Sequence, residues 1–323
     1  MLQYIRFFTK EDLAMPVTGR LAPSPSGEMH LGNAFAALLA WLSARAQGGQ
    51  VVLRLEDLDL PRCPARFSQG VMEDLRWLGL DWDNDPVYQS RRADYYEDCL
   101  SRLAAQGLLY PCYCTRRELH AAPTEASAPH AAAPVYSGHC RGLTDEQRAA
   151  LEAQGRRGAL RLRVPDRVYA LTDGHLGPYR ADLAKEVGDF ILRRSDGLYA
   201  YQLAVVADDA AMGVTEVVRG RDLLPSTPQQ LYLQEVLGFS HPSYCHLPLL
   251  LAPDGRRLSK REGDLSLRAL SKRYLPTELV GVLACWAGLL DRPTPVTPRE
   301  LVPAFSWTRV PTEDITVTDL PFS

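Results

Sequence analysis

The chain has 323 residues, 46% of them hydrophobic and 23% charged, a globular composition with length for one large domain or two smaller ones. A net charge of −3 excludes a nucleic-acid partner held by overall basicity, so any RNA contact must use local clusters. Seven cysteines argue against a disulfide framework, and no apolar run reaches the roughly 20 residues of a membrane-spanning helix.

The first residues carry neither a long apolar core nor a small-residue cleavage site, so the reading is a soluble cytoplasmic protein without a secretory signal. Met15-Pro16-Val17-Thr18 reads as the start of the folded part, with 1–14 as an extension. Val17–Ala22 is predicted as a strand, broken by Pro23, Pro25 and Gly27 into a loop. A helix follows over about 33–47, with Phe35, Leu38, Leu39 and Leu42 on one face, stopped by Gly48-Gly49. Val51–Leu55 reads as a buried strand ending in Glu56-Asp57. Strand, glycine-bearing loop, helix, strand opens a parallel α/β unit, and carboxylates at such a strand end point toward the usual ligand crevice.

Further helices are predicted at 66–78 and 92–106. The Ala/Pro-rich stretch 121–134 reads as a loop, 144–154 as a short capped helix, and 158–195 alternates like strands. Ser195-Asp196-Gly197 reads as a hairpin turn between Phe190–Leu192 and Leu198–Tyr201. A strand is predicted at 214–220. A helix follows from Ser226-Thr227-Pro228, with a capping hydroxyl. The last segment begins helical and ends rich in proline. The expected organisation is 1–14 extension, 15–109 first half of the catalytic domain, 110–190 insertion, 191–263 second half, and 264–323 helical C-terminal segment.

Two separated stretches carry phosphate chemistry. His30 and Gly32 stand where a helix starts after the first strand, and free N–H groups with the helix dipole favour phosphate there. Arg257-Leu258-Ser259-Lys260-Arg261 is a basic, serine-bearing loop whose ammonium group can follow phosphates as charge builds. Arg156, Arg157, Arg161, Arg163 and Arg167 form a further basic cluster, with a solvated face as the bland alternative. Cys112, Cys114 and Cys140 offer three thiolates for a tetrahedral zinc ion; the alternative is a set of reduced structural thiols. Cys63, Cys99, Cys245 and Cys285 are isolated and read as structural.

From about residue 17 to 310 the chain resembles the catalytic domains of glutamyl-tRNA synthetases, with the HIGH and KMSKS motifs of class I aminoacyl-tRNA synthetases. The matching stretches are Arg20–Gly27, Leu53–Asp57, Val218–Gly220, His246–Leu249 and Leu258–Arg261. The resemblance implies an α/β fold with a Rossmann-type parallel sheet, an inserted zinc-bearing subdomain and a short helical C-terminal piece. It implies a glutamate site at Arg20, Ala22, Ser24, Glu56, Tyr201 and Arg219. ATP would meet His30, Gly32, Asn33, Leu258, Ser259 and Lys260, with Mg2+ beside it and with His30 and Lys260 as catalytic groups. Physics agrees, since a dicarboxylate needs guanidinium forks and an ammonium needs a carboxylate. The family's fourth zinc ligand is a tyrosine, matching Tyr136; His139 is the chemically ordinary rival.

Only residues 262–323 follow Arg261, whereas full glutamyl-tRNA synthetases continue into an anticodon-binding domain. Longer relatives also carry a bulky His or Trp near Leu223. Both features resemble the truncated glutamyl-queuosine branch of the family. That branch implies activation of L-glutamate by ATP without tRNA, then transfer to queuosine in the tRNA(Asp) anticodon. A monomer without a membrane partner is the expected form. The rivals are a catalytic domain charging the tRNA 3′ end and a non-catalytic RNA-binding module.

Overall fold

The computed structural model describes residues 16–115, 117–118, 135–256, 258 and 266–317. The predicted extension 1–14, the stretch 121–134, and Arg257, Ser259, Lys260 and Arg261 lie outside the described residues.

Strand β1 (Thr18–Leu21) runs parallel to β2 (Gln50–Leu55), with Thr18 opposite Gln50 and Leu21 opposite Leu53. Helix α1 (Leu31–Ala46) makes the crossover, and nearly all of its apolar side chains are buried. Gly19 allows this close packing, because a Cβ there would stand 2.9 Å from the Ala44 side chain. Beyond β2 lies β3 (Val87–Tyr88), a two-residue parallel strand too short to mark itself by periodicity. Side chains complete that edge: Val51 N–H donates to Asp83 Oδ2 (2.7 Å) and Leu53 N–H to Asn84 Oδ1 (2.7 Å).

On the other side of β1 lies β9 (Glu216–Gly220), paired in parallel with β10 (Ser243–Leu247). The β1–β9 seam is held by Thr215 N–H to the Thr18 carbonyl (3.0 Å), Thr18 N–H to Thr215 Oγ1 (2.9 Å) and the Arg20 side chain. The β3–β2–β1 sheet and the β9–β10 pair therefore lie side by side across this seam, with a switch point between β1 and β9 where α/β sheets bind ligands.

Both faces are covered. Val51, Leu53 and Leu55 pack into one core with α1 and with helix α8 (Pro276–Trp286). Val52 belongs to a second core with α3 (Ala93–Ala105), α5 (Tyr201–Ala211) and α6 (Thr227–Leu237). Alternation along β2 thus feeds two cores. Helix α2 (Ala65–Trp77) adds Val71 and Leu75 to the first.

Between α3 and α5 the chain builds an antiparallel sheet β4–β5–β8 (Leu109–Cys112, Ala159–Leu162, Phe190–Arg193) and a hairpin β6–β7 (Val168–Asp173, Gly177–Asp182). Helix α4 (Asp145–Ala153) starts on a reciprocal Thr144–Gln147 cap. After β10 come β11 (Leu250–Leu251), α7 (Leu267–Leu270), α8, α9 (Pro298–Leu301) and β12 (Ile315–Thr316). β12 returns to pair in parallel with β11.

Three local expectations change. The predicted strand Leu198–Tyr201 reduces to one bridge, Arg193 opposite Tyr199, and Tyr201 opens α5. That helix is buried over Leu203–Asp209, and a short buried run carries no period that separates strand from helix. Ser226 does not cap α6 with its side chain, because it continues a 3-10 turn, Arg221–Ser226, in helical conformation. Helix α1 begins at Leu31, with His30 as the residue before its first turn.

Candidate active site

A cavity of about 680 Å³ opens at the C-terminal ends of β1, β2, β9 and β10. Arg20, Ala22, Ser24, His30, Gly32, Asn33, Glu56, Tyr201, Arg219 and Leu258 all line it. The structure therefore brings together every predicted ligand-contacting residue it describes, although they come from five separate stretches of chain.

Arg20 leaves β1 only 5% exposed. Its Nη1 donates to the Val218 carbonyl (2.7 Å), and Nε stands 3.7 Å from Asp209 Oδ1 without a hydrogen bond. Burial draws its pKa below the ordinary value, with Asp209 opposing. Val218 is its hydrogen-bond partner among the described residues, so most of the fork is unspent.

Glu56 ends β2. Its Oε1 accepts from Arg54 Nη2 (3.2 Å) and its Oε2 from Ser24 Oγ (3.3 Å). Burial pushes its pKa up, while Arg54 and Arg20 pull it down. Arg54 and Glu56 form a structural ion pair, and the same carboxylate faces the cavity. Arg54, fully buried, also binds Asp209 Oδ1 at 2.6 Å. Asp208 behind it accepts from Arg92, Tyr96 and Gln89. Tyr201 stands at the first turn of α5; its hydroxyl has no hydrogen-bond partner among the described residues, and burial raises its pKa.

Arg219 is held from several sides. Its Nε donates to His246 Nε2 (3.0 Å), Nη1 to Gln230 Oε1 (2.8 Å), and Nη2 to Thr227 Oγ1 (2.9 Å) and the Leu223 carbonyl (3.4 Å). Chemically, the cleft offers guanidinium donors on one wall and a carboxylate on another, which suits a zwitterion carrying an extra carboxylate.

At the other end of the cleft, His30 precedes α1 in extended conformation, and its carbonyl accepts from Asn33 and Ala34 N–H (2.9 and 3.0 Å). Leu258 N–H donates to the Leu250 carbonyl (3.1 Å). Ser266 forms a bridge with His30, and Leu267 N–H donates to the Met29 carbonyl (2.8 Å). The described residues on both flanks of the basic loop thus meet the cleft or the His30 segment.

Away from the cleft, the sulfur atoms of Cys112, Cys114 and Cys140 lie within 4.8 Å of one another. Tyr136 Oη is 3.3 Å from Cys112 Sγ and 3.8 Å from Cys114 Sγ, and it accepts from Cys140 N–H at 2.9 Å. His139 is exposed and outside the cluster. Three thiols and a phenol oxygen converging on one point fit a tetrahedral ion, and this donor set could hold a metal. Gly188, at φ +70°, passes against Tyr136, where a Cβ would lie 2.7 Å from the Tyr136 carbonyl oxygen.

Residues 16–284 match the family model described as tRNA synthetases class I (E and Q), catalytic domain. The chain is 49% identical over 311 residues to a protein of Symbiobacterium thermophilum named Glutamyl-Q tRNA(Asp) synthetase, covering 93% of this chain and 95% of that one. A protein of the same name from Nocardia farcinica is 49% identical over 302 residues, covering 93% of each. The chain belongs to the glutamyl-Q tRNA(Asp) synthetase family. Its fold is also that of a solved glutamate tRNA ligase from Elizabethkingia meningosepticum, crystallised with its amino acid. That likeness has a TM-score of 0.79 and 28% identity, over 96% of this chain and 67% of the other.

As a member of the glutamyl-Q tRNA(Asp) synthetase family the protein is a ligase of the class I synthetase type, with the parallel sheet that type implies. No helix among the described residues is long and apolar enough to cross a membrane. The basic cluster at 156–167 is largely spent on the fold: Arg156 pairs with Glu118, Arg161 donates to the Asp189 carbonyl, Arg163 to the Arg141 carbonyl, and Arg167 pairs with Glu235. The sequence assigns no site role to Asp173, Asp209, Thr227 or Gln230, and His246 enters only as part of a matching stretch. A buried charge at a strand end, and Asp173-Gly174 as a turn signal, were the available marks.

Proposed function

We propose that the protein activates L-glutamate with ATP to glutamyl-adenylate without requiring tRNA, and transfers the glutamyl group to queuosine in the anticodon of tRNA(Asp). The supporting observation is Arg20: a buried guanidinium with most of its donors unspent, across a cleft from Glu56. A buried polar group left unsatisfied in the free protein is costly unless a ligand completes it.

In this reading Arg20 and Arg219 meet the carboxylates of glutamate, with Ala22, Ser24 and Tyr201 shaping the pocket. Glu56 meets the ammonium group. The α-carboxylate attacks the α-phosphorus in line and pyrophosphate leaves. His30, beside the first turn of α1, and Lys260 stabilise the charge that builds on the phosphates, while Gly32, Asn33, Leu258 and Ser259 hold the nucleotide. A hydroxyl of the queuosine diol then attacks the acyl carbon and AMP leaves. Positioning supplies much of the acceleration, and no covalent side-chain intermediate is needed. Mg2+ accompanying ATP would neutralise phosphate charge. Cys112, Cys114, Tyr136 and Cys140 would hold a structural zinc ion, which would cross-link the loop around 136–140 to the end of β4 and Cys114.

The test incubates radiolabelled glutamate and ATP with tRNA(Asp) containing or lacking queuosine. Label on the modified RNA alone, with glutamate-dependent ATP–pyrophosphate exchange in the absence of tRNA, is the expected result. Equal labelling of tRNA(Glu), or exchange strictly dependent on tRNA, would overturn it.

A further inference from the structure

Against Arg219, outside the residues that line the cavity, lies a buried Asp–His pair. His246, on β10, is 0% exposed. Its Nδ1 is 2.6 Å from Asp173 Oδ2, and its Nε2 is 3.0 Å from Arg219 Nε. A guanidinium N–H only donates, so His246 Nε2 must accept. The ring proton therefore sits on Nδ1, directed at Asp173, and the ring is neutral.

Asp173 is itself fixed at the tip of the β6–β7 hairpin. It accepts from the backbone N–H groups of His175, Leu176 and His246. The tip docks on β10 through Gly174 N–H to the Tyr244 carbonyl (2.7 Å), and a Cβ at Gly174 would lie 2.5 Å from Cys245 Sγ. His246 lies parallel to the Tyr244 ring, with centroids 6.1 Å apart. Nothing in this arrangement lets the imidazole turn.

We infer that Asp173 and His246 are positioning residues that fix the orientation in which the Arg219 guanidinium is presented to the cleft. His246, Gln230, Thr227 and Leu223 occupy four of the five N–H donors of Arg219, leaving one on Nη1. With a single donor left, the direction of that N–H decides whether a carboxylate meets it. The His246 contact at Nε sets the rotation of the fork, and Asp173 sets the tautomer that makes the contact possible. The hairpin, although remote in sequence from the cleft strands, thereby determines the geometry of one guanidinium.

This inference rests on the proposed contact between Arg219 and glutamate, and two readouts separate it from that reading. Nitrogen NMR of histidine-labelled protein reports the tautomer without reference to activity. The Nδ1–H form at neutral pH is expected, and the Nε2–H form or a charged ring would overturn the inference. Glutamate-dependent exchange is then measured for His246→Ala, His246→Gln and Asp173→Asn. His246→Ala should raise the KM for glutamate about ten- to a hundredfold, the usual scale for outer-shell partners, while KM for ATP stays within about twofold. His246→Gln, whose amide oxygen can still accept from Nε, should recover most of the loss. An unchanged glutamate KM in a folded His246→Ala variant would overturn the inference. If that variant does not fold, an unchanged KM in Asp173→Asn would do the same. An unchanged KM in Arg219→Lys would instead refute the glutamate contact.

Discussion

Arg20 on β1 reaches the carbonyl of Val218 on β9, 2.7 Å away, and so spans the seam between the β1–β2–β3 sheet and the β9–β10 pair. One Nη1 hydrogen serves the sheet, and the remaining donors are left for the cleft. In the proposed reading, sheet structure and ligand recognition share one side chain.

Substituting it should therefore affect activity far more than fold. Arg20→Ala is expected to lose about two to three orders of magnitude in kcat/KM for glutamate, the scale for truncating one partner of a buried charged contact. Arg20→Lys, which offers a point charge in place of a fork, should recover only part of this. Pyrophosphate exchange measured against glutamate and ATP separately checks it; a loss confined to ATP would sink the assignment.

The thiol cluster should carry about one zinc ion per chain, measured by elemental analysis of the purified protein. Cys112→Ser and Cys140→Ser should each lower metal content and melting temperature together. Tyr136→Phe should weaken metal retention more than His139→Ala, because Tyr136 Oη faces the sulfur atoms and His139 does not.

Gly174 has no room for a side chain. Gly174→Ala should destabilise the protein by about 1–3 kcal/mol, the cost of overpacking, as the new methyl group meets Cys245. The double change with Cys245→Ala should restore part of it, which denaturant titration of both variants checks.

Asp74, on α2, has a pKa raised to about 6 by burial and by the neighbouring Glu28 and Glu73. Its folded pKa lies above the unfolded value, so the protonated form favours folding. That contribution is present in full below about pH 4, the unfolded Asp value, and is lost as pH rises through about 6. Asp74→Asn should thus be more stable than the parent protein at pH 8, and the difference should vanish near pH 4. Melting curves at the two pH values decide it; a parent protein more stable at pH 8 would contradict the shift.

The parts of the fold that declare themselves in the sequence are those whose environment is local. Helix α1 and strand β2 are dense apolar runs bounded by glycine, and both are present within two residues of their predicted limits. β3 and β12 were invisible because two residues have no period, and their partners are supplied by distant chain. In the cleft, Arg20, Glu56 and Arg219 stand out as strand or strand-end residues in matching stretches, and His30 as the residue where a helix starts after the first strand. Asp173 does not, because its partner His246 lies 73 residues downstream and nothing between them marks the contact.

Asp83 and Asn84 bind the outward N–H groups of Val51 and Leu53 where β3 is too short to reach them. Without those two polar caps, the most apolar strand of the sheet would present a bare margin on which another chain could lay itself down. Two short side chains thereby close the hydrogen bonding of that margin, a role in the sheet rather than in the cleft.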